Sequence, residues 1–196
     1  MPMPAGRGFV IALLGAESTG QTTLALQLRD LLLGEARDAV VVPEYLREFC
    51  DLHGRTPHTG EQDSIADEQT RRIAEAAAAH ALVIADTSAL MIAVYSDQVF
   101  GDRSLYGHAE QAHADGCDLT LLTALDLPWQ ADGLQRDGPH VREPVDAAVR
   151  AALVRANLAY SVVAGSGAAR LANALASVRR PSLTSLGGRA VRPPEP

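Results

Sequence analysis

Short runs of consecutive apolar residues alternate with longer segments of helical periodicity along this chain. A strand that is covered on both faces has no polar side, so an unbroken apolar run predicts a buried strand. Such runs predict five strands, at 9–14, 40–42, 81–85, 119–123 and 160–164. Helices are predicted between and after them, at 20–33, 61–80, 88–98, 104–115, 142–157 and 167–178. Strands that alternate with helices form a parallel sheet, so we predict a three-layer α/β/α domain with a five-stranded parallel sheet.

The predicted folded domain spans residues 8–178. Residues 1–7 and 179–196 lack apolar periodicity, and the second segment is rich in Pro, Gly, Ser and Arg. Such composition predicts a flexible N-terminus and a disordered tail. Residues 126–142 hold several prolines and glycines between the fourth strand and the next helix, which predicts a loop or mobile lid.

The composition limits the kinds of molecule that this protein is expected to bind. The net charge is −7, which argues against a general nucleic-acid or anionic-membrane surface, and no apolar run has the ~18 residues of a membrane span. Cys50 and Cys117 lie far apart in the chain without metal-ligand spacing, so we predict free thiols of a cytoplasmic protein. All 17 cationic side chains are arginines, since the chain has no lysine.

A glycine-containing segment joins the first predicted strand to the first predicted helix. Its order of glycine, four residues, glycine, one residue and threonine is the P-loop spacing in all but one position. Backbone N–H groups and the helix N-terminus would bind phosphate there, and the Thr22 hydroxyl would bind Mg²⁺. The alternative is a strand-to-helix turn without a ligand. The predicted nucleotide-binding residues are Gly15, Ala16, Glu17, Ser18, Thr19, Gly20, Gln21, Thr22 and Thr23.

Gln21 occupies the position that holds lysine in a P-loop. Its amide donates hydrogen bonds but carries no charge, and losing one pre-organised donor typically costs about a hundred- to a thousandfold in rate. Because the chain has no lysine, none can reach in from elsewhere, and an arginine is the candidate for the missing cation. Whether the loop supports chemistry or only binds nucleotide therefore stays open.

Beyond the loop spacing, the sequence resembles the ribosylnicotinamide kinase domain of NadR-type NAD-biosynthesis proteins and their AAA-like ATPase relatives. Those proteins carry Gly-Ala-Glu-Ser-Thr-Gly-Lys-[Ser/Thr]-Thr-Leu, and this chain has Gly-Ala-Glu-Ser-Thr-Gly-Gln-Thr-Thr-Leu. The resemblance extends over about residues 9–178, with further matching segments at 44–48, 84–87, 95–96, 100–101, 127–129 and 132–133. The chain begins at the P-loop strand, so the DNA-binding function of full-length relatives is not expected.

The resemblance implies a P-loop NTPase fold and a kinase that transfers the γ-phosphoryl group of ATP to nicotinamide riboside or a similar nucleoside. ATP and Mg²⁺ are then the implied ligands, with a nucleoside as the small-molecule partner and without nucleic acid or membrane. A homo-oligomer is left open. The alternative, favoured by Gln21, is a catalytically weak nucleotide-binding regulator or an ATPase.

Four further side chains and one glycine are predicted to take part. Asp86 at the end of the third strand would bind Mg²⁺, or else cap the next helix. Glu44 would accept a proton from the acceptor hydroxyl, or else pair with Arg47 one helical turn on. Arg136 and Arg142 would bind the transferring phosphoryl group, or else belong to a solvated loop. By fold analogy Gly165 would contact adenine through its backbone, or else form a plain turn.

Overall fold

The computed structural model describes residues 6–35, 37–130 and 138–179. The strands of the described part are β1 (Phe9–Leu14), β2 (Ala39–Val42), β3 (Leu82–Asp86), β4 (Leu119–Thr123) and β5 (Ser161–Val163). They form one parallel sheet in the order β2-β3-β1-β4-β5. The predicted five-stranded parallel sheet is confirmed, and the predicted strand limits differ from the observed ones by at most one residue.

The helices of the described part connect these strands in sequence order. They are α1 (Gln21–Gly34), α2 (Tyr45–His53), α3 (Gln62–Ala79), α4 (Ala89–Phe100), α5 (Tyr106–Gly116), α6 (Arg142–Arg155) and α7 (Gly167–Val178). Short 3-10 turns precede α3 and α6, at Thr59–Glu61 and Pro139–Val141.

The central strand β1 shows how the layers are built, because successive side chains of a strand point to opposite faces. Ile11 and Leu13 pack with the leucines of α1 and with α7 on one face. Val10 packs with α3, and Leu14 packs with α4 and α6, on the other face. Residues 10–14 are completely buried. The three-layer α/β/α arrangement predicted from the apolar run is therefore confirmed.

Helix α2 is a difference between the sequence prediction and the structure, since no helix was predicted at Tyr45–His53. The buried side chains of α2 are Leu46, Phe49 and Cys50, which recur at helical spacing. This short pattern covers only one repeat before Gly54, whose positive φ of 64° ends the helix. One repeat is too little for periodicity alone to separate a helix from a loop.

Some sequence predictions lie outside the described residues. They concern Arg136, segment 131–137 of the predicted lid, residues 1–5 and the tail from 180 onward. At the described end of the N-terminal segment, the Arg7 guanidinium pairs with both carboxylate oxygens of Asp118, at 2.7 and 3.0 Å. The predicted domain limits stay predictions. Both cysteines are free thiols, and no described helix has the length and apolar character needed to cross a membrane.

A buried histidine links α5 to the sheet and to the start of α4. The two ring nitrogens of His113 each lie 2.8 Å from a hydroxyl, Ser88 Oγ on one side and Thr120 Oγ1 on the other. A neutral imidazole satisfies this arrangement, because one nitrogen donates and the other accepts. Burial lowers the pKa of His113 to about 4, so the ring stays neutral near pH 7.

The neutral His113 makes folding stability depend on pH. Between the ordinary histidine pKa of about 6.5 and the folded value of about 4, the unfolded chain binds a proton that the folded chain excludes. Stability from this group is therefore present above pH 6.5 and is lost as the pH falls towards 4. We expect urea denaturation to give about 2 kcal/mol less stability at pH 5 than at pH 7.

Two variants isolate that effect. His113→Gln should remove the pH 5 to pH 7 difference, whereas His80→Gln, which changes a partly exposed histidine paired with Asp38, should keep it. A difference of unchanged size in His113→Gln would assign the pH dependence to other groups.

Candidate active site

One large cavity lies at the carboxyl ends of the parallel strands, the edge where α/β sheets bind ligands. Its volume is about 1,000 Å³. The predicted loop residues 17–23 line it, together with Glu44 from the loop after β2 and Asp86 at the end of β3. Gly15 and Ala16 are not among the lining residues, and Ala16 is buried behind the loop. The structure thus brings most of the predicted nucleotide-binding residues and two predicted catalytic carboxylates to one cavity.

The loop between β1 and α1 has the tight geometry of an anion-binding turn. A Cβ atom on Gly15 would lie 2.0 Å from Thr123 Oγ1, so only glycine fits there. Ser18 and Gly20 have positive φ of 55° and 74°, which turns the chain into α1. The Thr123 hydroxyl donates to Thr19 Oγ1 at 2.7 Å, and Thr19 donates to the Ala16 carbonyl at 2.7 Å. Both hydroxyls are buried, so they fix the loop from behind.

The N-terminus of α1 points its free N–H groups at this loop. Among the described residues no side chain caps α1, and its first turn holds no acidic side chain. The first backbone bond of the helix runs from the Leu24 N–H to the Gly20 carbonyl. The preceding N–H groups are therefore available to an anion, which the helix dipole also attracts.

Gln21 projects from the first position of α1 towards the end of β1. Its Nε2 donates to the Leu13 carbonyl at 3.3 Å, and the residue also lines the cavity. The side chain supplies a donor at the loop but no charge. The side chain at the lysine position of the P-loop spacing therefore brings no positive charge to the cavity.

Arg170 of α7 is a cation beside the loop that the sequence analysis missed. Its guanidinium donates to the carbonyls of Thr19 at 2.7 Å and Gly165 at 2.6 Å, and pairs with Asp126 at 2.7 Å. Burial acts to raise the pKa of Asp126, but the bonds from Gly165 and Arg170 together lower it. Arg170 thus ties α7 and the loops after β4 and β5 to the P-loop. No short motif marks it, because its partners are distant in sequence.

Thr22 and Asp86 form the oxygen pair that a P-loop magnesium site requires. The Thr22 hydroxyl donates to Asp86 Oδ2 at 2.6 Å, across the cavity floor between α1 and β3. Burial raises the pKa of Asp86, while the bond from Thr22 and the charge of Arg47 oppose that shift. The alternative role of Asp86 as a helix cap is filled by Ser88, whose Oγ accepts from the Leu90 N–H.

These residues fit Mg²⁺. A buried carboxylate beside a hydroxyl offers the hard oxygen ligands that Mg²⁺ prefers, and a cation there would stabilise the ionised Asp86. The described residues contain no group of three or more His, Cys, Asp or Glu side chains that could hold a metal. The remaining ligands would therefore be water and phosphate, as is usual for Mg²⁺ in phosphoryl-transfer sites.

Glu44 stands at the start of α2, and its predicted partner is present. Arg47 Nε lies 3.7 Å from Glu44 Oε2, and both residues line the cavity. The pairing and a functional position therefore coexist. The completely buried Gln69 of α3 bonds to the backbone on both sides of Glu44. Its Oε1 accepts from the Tyr45 N–H at 2.8 Å, and its Nε2 donates to the Pro43 carbonyl at 3.4 Å.

Two other predicted residues lie beside the cavity without being among its lining residues. The Gly165 N–H donates to the Asp126 carboxylate, so this amide already has a partner. Arg142 is buried at the start of α6, where it donates to the Leu127 carbonyl at 2.9 Å. Contacts of Gly165 with adenine and of Arg142 with phosphate stay predictions.

Comparison of this sequence with models of known protein families shows the family to which the chain belongs. A family model described as an AAA domain matches residues 10–170, which is well over half of the sequence. The chain belongs to the AAA domain family. As an AAA domain with this loop it is a P-loop nucleotide-binding domain. No curated protein matches its sequence.

Two solved structures share the fold of this AAA domain. A NadR protein in complex with NAD and AMP-PNP matches with a TM-score of 0.68 and 18% identity, over 96% of this chain and 52% of that one. A NadR protein in complex with NR matches with a TM-score of 0.71 and 18% identity, over 87% of this chain and 50% of that one. The chain spans about half the length of these NadR chains, and the predicted NadR-like P-loop fold is confirmed.

Proposed function

We propose that this AAA domain is a small-molecule kinase that transfers the γ-phosphoryl group of ATP to a sugar hydroxyl of nicotinamide riboside or a similar nucleoside. The observation that carries the proposal is one continuous cavity, which is lined by the P-loop, by Asp86 bonded to Thr22 of that loop, and by Glu44. Its volume of about 1,000 Å³ lies at the top of the range of about 300–1,000 Å³ for small-molecule sites, which leaves room for a second substrate.

On the donor side, the backbone N–H groups of residues 17–22 would bind the β- and γ-phosphates of ATP. Thr22 and Asp86 would hold Mg²⁺, which supplies positive charge to neutralise the phosphates when bound. Phosphoryl transfer depends mainly on positioning and electrostatics, so a rigid loop contributes directly to rate. Arg170 and Thr123 provide that rigidity through their bonds to residue 19.

On the acceptor side, Glu44 would accept the proton of the attacking hydroxyl on its carboxylate. Arg47 holds that carboxylate from the side, and Gln69 fixes the backbone on both sides of it. The bond from the hydroxyl oxygen to phosphorus forms while the bond from phosphorus to the bridging β-γ oxygen breaks, which releases ADP.

The NadR structures support both ligand assignments. One NadR protein was crystallised with AMP-PNP, an ATP analogue, and another with NR. A product assay tests the proposal. Incubation with ATP, Mg²⁺ and nicotinamide riboside should yield the phosphorylated nucleoside and ADP in equal amounts, and a nucleoside panel should rank the acceptors. Equal ATP consumption with and without an acceptor would contradict the kinase proposal and identify an ATPase.

A second candidate function is a nucleotide-binding regulator with little turnover. The observation that favours it is Gln21, whose amide donates to the Leu13 carbonyl in place of an ammonium group at the loop. Tight AMP-PNP binding combined with no phosphorylated product from any acceptor would support this function over the kinase.

Glu44→Gln tests the proposed base. The amide keeps the shape of the side chain but cannot accept the proton, so we expect kcat to fall about a hundredfold, the lower end for general base catalysis. Nucleotide affinity should not change, because Glu44 lies on the acceptor side. Steady-state kinetics with varied ATP and riboside would measure both quantities.

A neighbouring glutamate provides the control for this variant. Glu48→Gln removes a carboxylate from the same helix, where it pairs with Arg72 on the exposed surface, and should leave kcat unchanged. Equal kcat values for Glu44→Gln and the wild type would remove Glu44 from the mechanism.

A further inference from the structure

The cavity holds few positive charges for a site that would bind a triphosphate. Among the described residues that line it, the cationic side chains are Arg47 and Arg170. Gln21 adds a donor but no charge at the lysine position of the loop. Within the described part of the chain, the cation that meets a γ-phosphate together with Mg²⁺ is therefore one of these two arginines.

Arg170 is already used within the protein. It is 4% exposed, and its terminal nitrogens bond to the Asp126 carboxylate and to the carbonyls of Thr19 and Gly165. Moving this guanidinium onto a phosphate would leave those acceptors without their donor, at a cost in stability. Arg170 therefore fixes the loop, and Arg47 is the cation to consider for the γ-phosphate.

Arg47 lies in the first turn of α2, just beyond the carboxyl end of β2. In the sheet, β3 stands between β2 and β1, so the end of β3 lies between the start of α2 and the P-loop. Asp86 ends β3 and accepts the Thr22 hydroxyl at 2.6 Å, and the charge of Arg47 acts on this carboxylate. Arg47 is thus close to the oxygen pair that fits Mg²⁺.

The Arg47 side chain suits a phosphate ligand. It is 39% exposed and lines the cavity, so a bound molecule can reach it. Its Nε lies 3.7 Å from Glu44 Oε2, an ion pair that is longer than a hydrogen bond. A guanidinium has five N–H donors in a planar fork and can bind a carboxylate and a phosphate together. Pairing with Glu44 is therefore compatible with binding a phosphate.

The direction of phosphoryl transfer indicates which phosphate Arg47 would meet. With the β-phosphate in the P-loop and the acceptor hydroxyl beside Glu44, an in-line reaction places the γ-phosphate between them. Arg47 comes three residues after Glu44, one helical turn along, so its guanidinium would lie near the γ-phosphate rather than the α- or β-phosphate.

We propose that Arg47 binds the γ-phosphate of ATP from the acceptor side and supplies there the positive charge that Gln21 does not provide. This inference rests on the proposed function, because the acceptor position beside Glu44 decides which way the γ-phosphate faces. Arg47 comes from α2 and residue 21 from α1, so the Gln21→Lys variant would add a second cation rather than duplicate this one.

Calorimetry with two nucleotides tests the assignment. AMP-PNP and ADP differ by the γ-phosphate group, and each is titrated with Mg²⁺ into the wild type and into Arg47→Met. Methionine keeps the helix propensity and an unbranched apolar stem but has no donor. We expect Arg47→Met to bind AMP-PNP about tenfold or more weakly, and to change the affinity for ADP by less than about threefold.

Arg71→Met is the matched control, because it removes the same charge from an exposed arginine of α3 that pairs with Glu68 and Glu75. It should leave both affinities unchanged. An equal loss for the two nucleotides in Arg47→Met, or no loss, would overturn the assignment. If Arg47→Met does not fold, Arg47→Gln takes its place: a loss confined to AMP-PNP would support the assignment, and the lack of such a loss would overturn it.

A product assay with the wild type separates this inference from the function on which it rests. If the loss is confined to AMP-PNP but no acceptor is phosphorylated, Arg47 keeps its role while the kinase proposal fails. If nicotinamide riboside is phosphorylated while Arg47→Met binds AMP-PNP as the wild type does, the kinase proposal stands and the assignment of Arg47 fails. If the wild type binds neither nucleotide, both proposals fail.

Discussion

Gln21→Lys is expected to raise the rate of phosphoryl transfer by about a hundred- to a thousandfold. The lysine would place a full positive charge at the first position of α1, where the amide of Gln21 now donates to the Leu13 carbonyl. Charge that develops on the β- and γ-phosphates in the transition state would then meet an ammonium group rather than a neutral donor. Single-turnover kinetics with ATP, Mg²⁺ and nicotinamide riboside would measure the gain directly.

Gln27→Lys separates the effect of position from that of added charge. Gln27 lines the same cavity from a later turn of α1, so its replacement adds an equal charge away from the loop. We expect less than about a threefold change in rate from this variant. If the two lysine variants gain equally, the loop position has no special role. If Gln21→Lys gains nothing, the absence of a lysine at this position does not limit the rate, and the prediction is wrong.

Arg170→Met is expected to lower the free energy of unfolding by about 3 kcal/mol and to weaken nucleotide binding. The arginine is 4% exposed and donates to carbonyls on three separate loops as well as to Asp126. Methionine fills much of the same volume but leaves those acceptors without a donor. Because one of them is the Thr19 carbonyl, the P-loop would lose a contact that fixes its shape.

Arg150→Met is the control for this prediction. Arg150 pairs with Asp146 one turn earlier on α6, at 2.6 Å, and is about one-third exposed. Such a pair contributes at most about 1 kcal/mol, so urea denaturation should show little change. Equal stability losses in the two variants, or unchanged AMP-PNP affinity in Arg170→Met, would contradict the role of Arg170 at the loop.

The sheet and the phosphate loop could be predicted from the sequence because both depend on local patterns. The run at residues 9–14 is apolar without a break, which only a strand buried on both faces requires. The phosphate-binding groups of the loop from Gly15 to Thr22 are backbone N–H groups of consecutive residues. The spacing of residues in the sequence is therefore enough to predict this loop. Asp86 and Glu44 were found for a related reason, since Asp86 ends β3, Glu44 comes shortly after β2, and the carboxyl ends of parallel strands share one edge.

The residues that the sequence does not reveal are those whose partners come from distant segments. Arg170 bonds to Thr19, 151 positions away, and nothing near it in sequence marks that contact. Gln69 is one polar residue within a long Ala-rich helix, and only the fold brings it to the backbone on both sides of Glu44. Helix α2 was not predicted from the sequence because its buried residues give only one repeat of the helical pattern. In each case tertiary packing, not local sequence, decides the role.

Binding of AMP-PNP with Mg²⁺ to the wild-type chain, measured by isothermal titration calorimetry, tests the central claim most directly. The claim is that the backbone N–H groups around residues 15–22 bind a triphosphate although Gln21 stands at the lysine position. We expect saturable binding with one nucleotide per chain and a rise in melting temperature, because a ligand of the folded state stabilises it. No heat of binding and an unchanged melting temperature at millimolar nucleotide would contradict the claim.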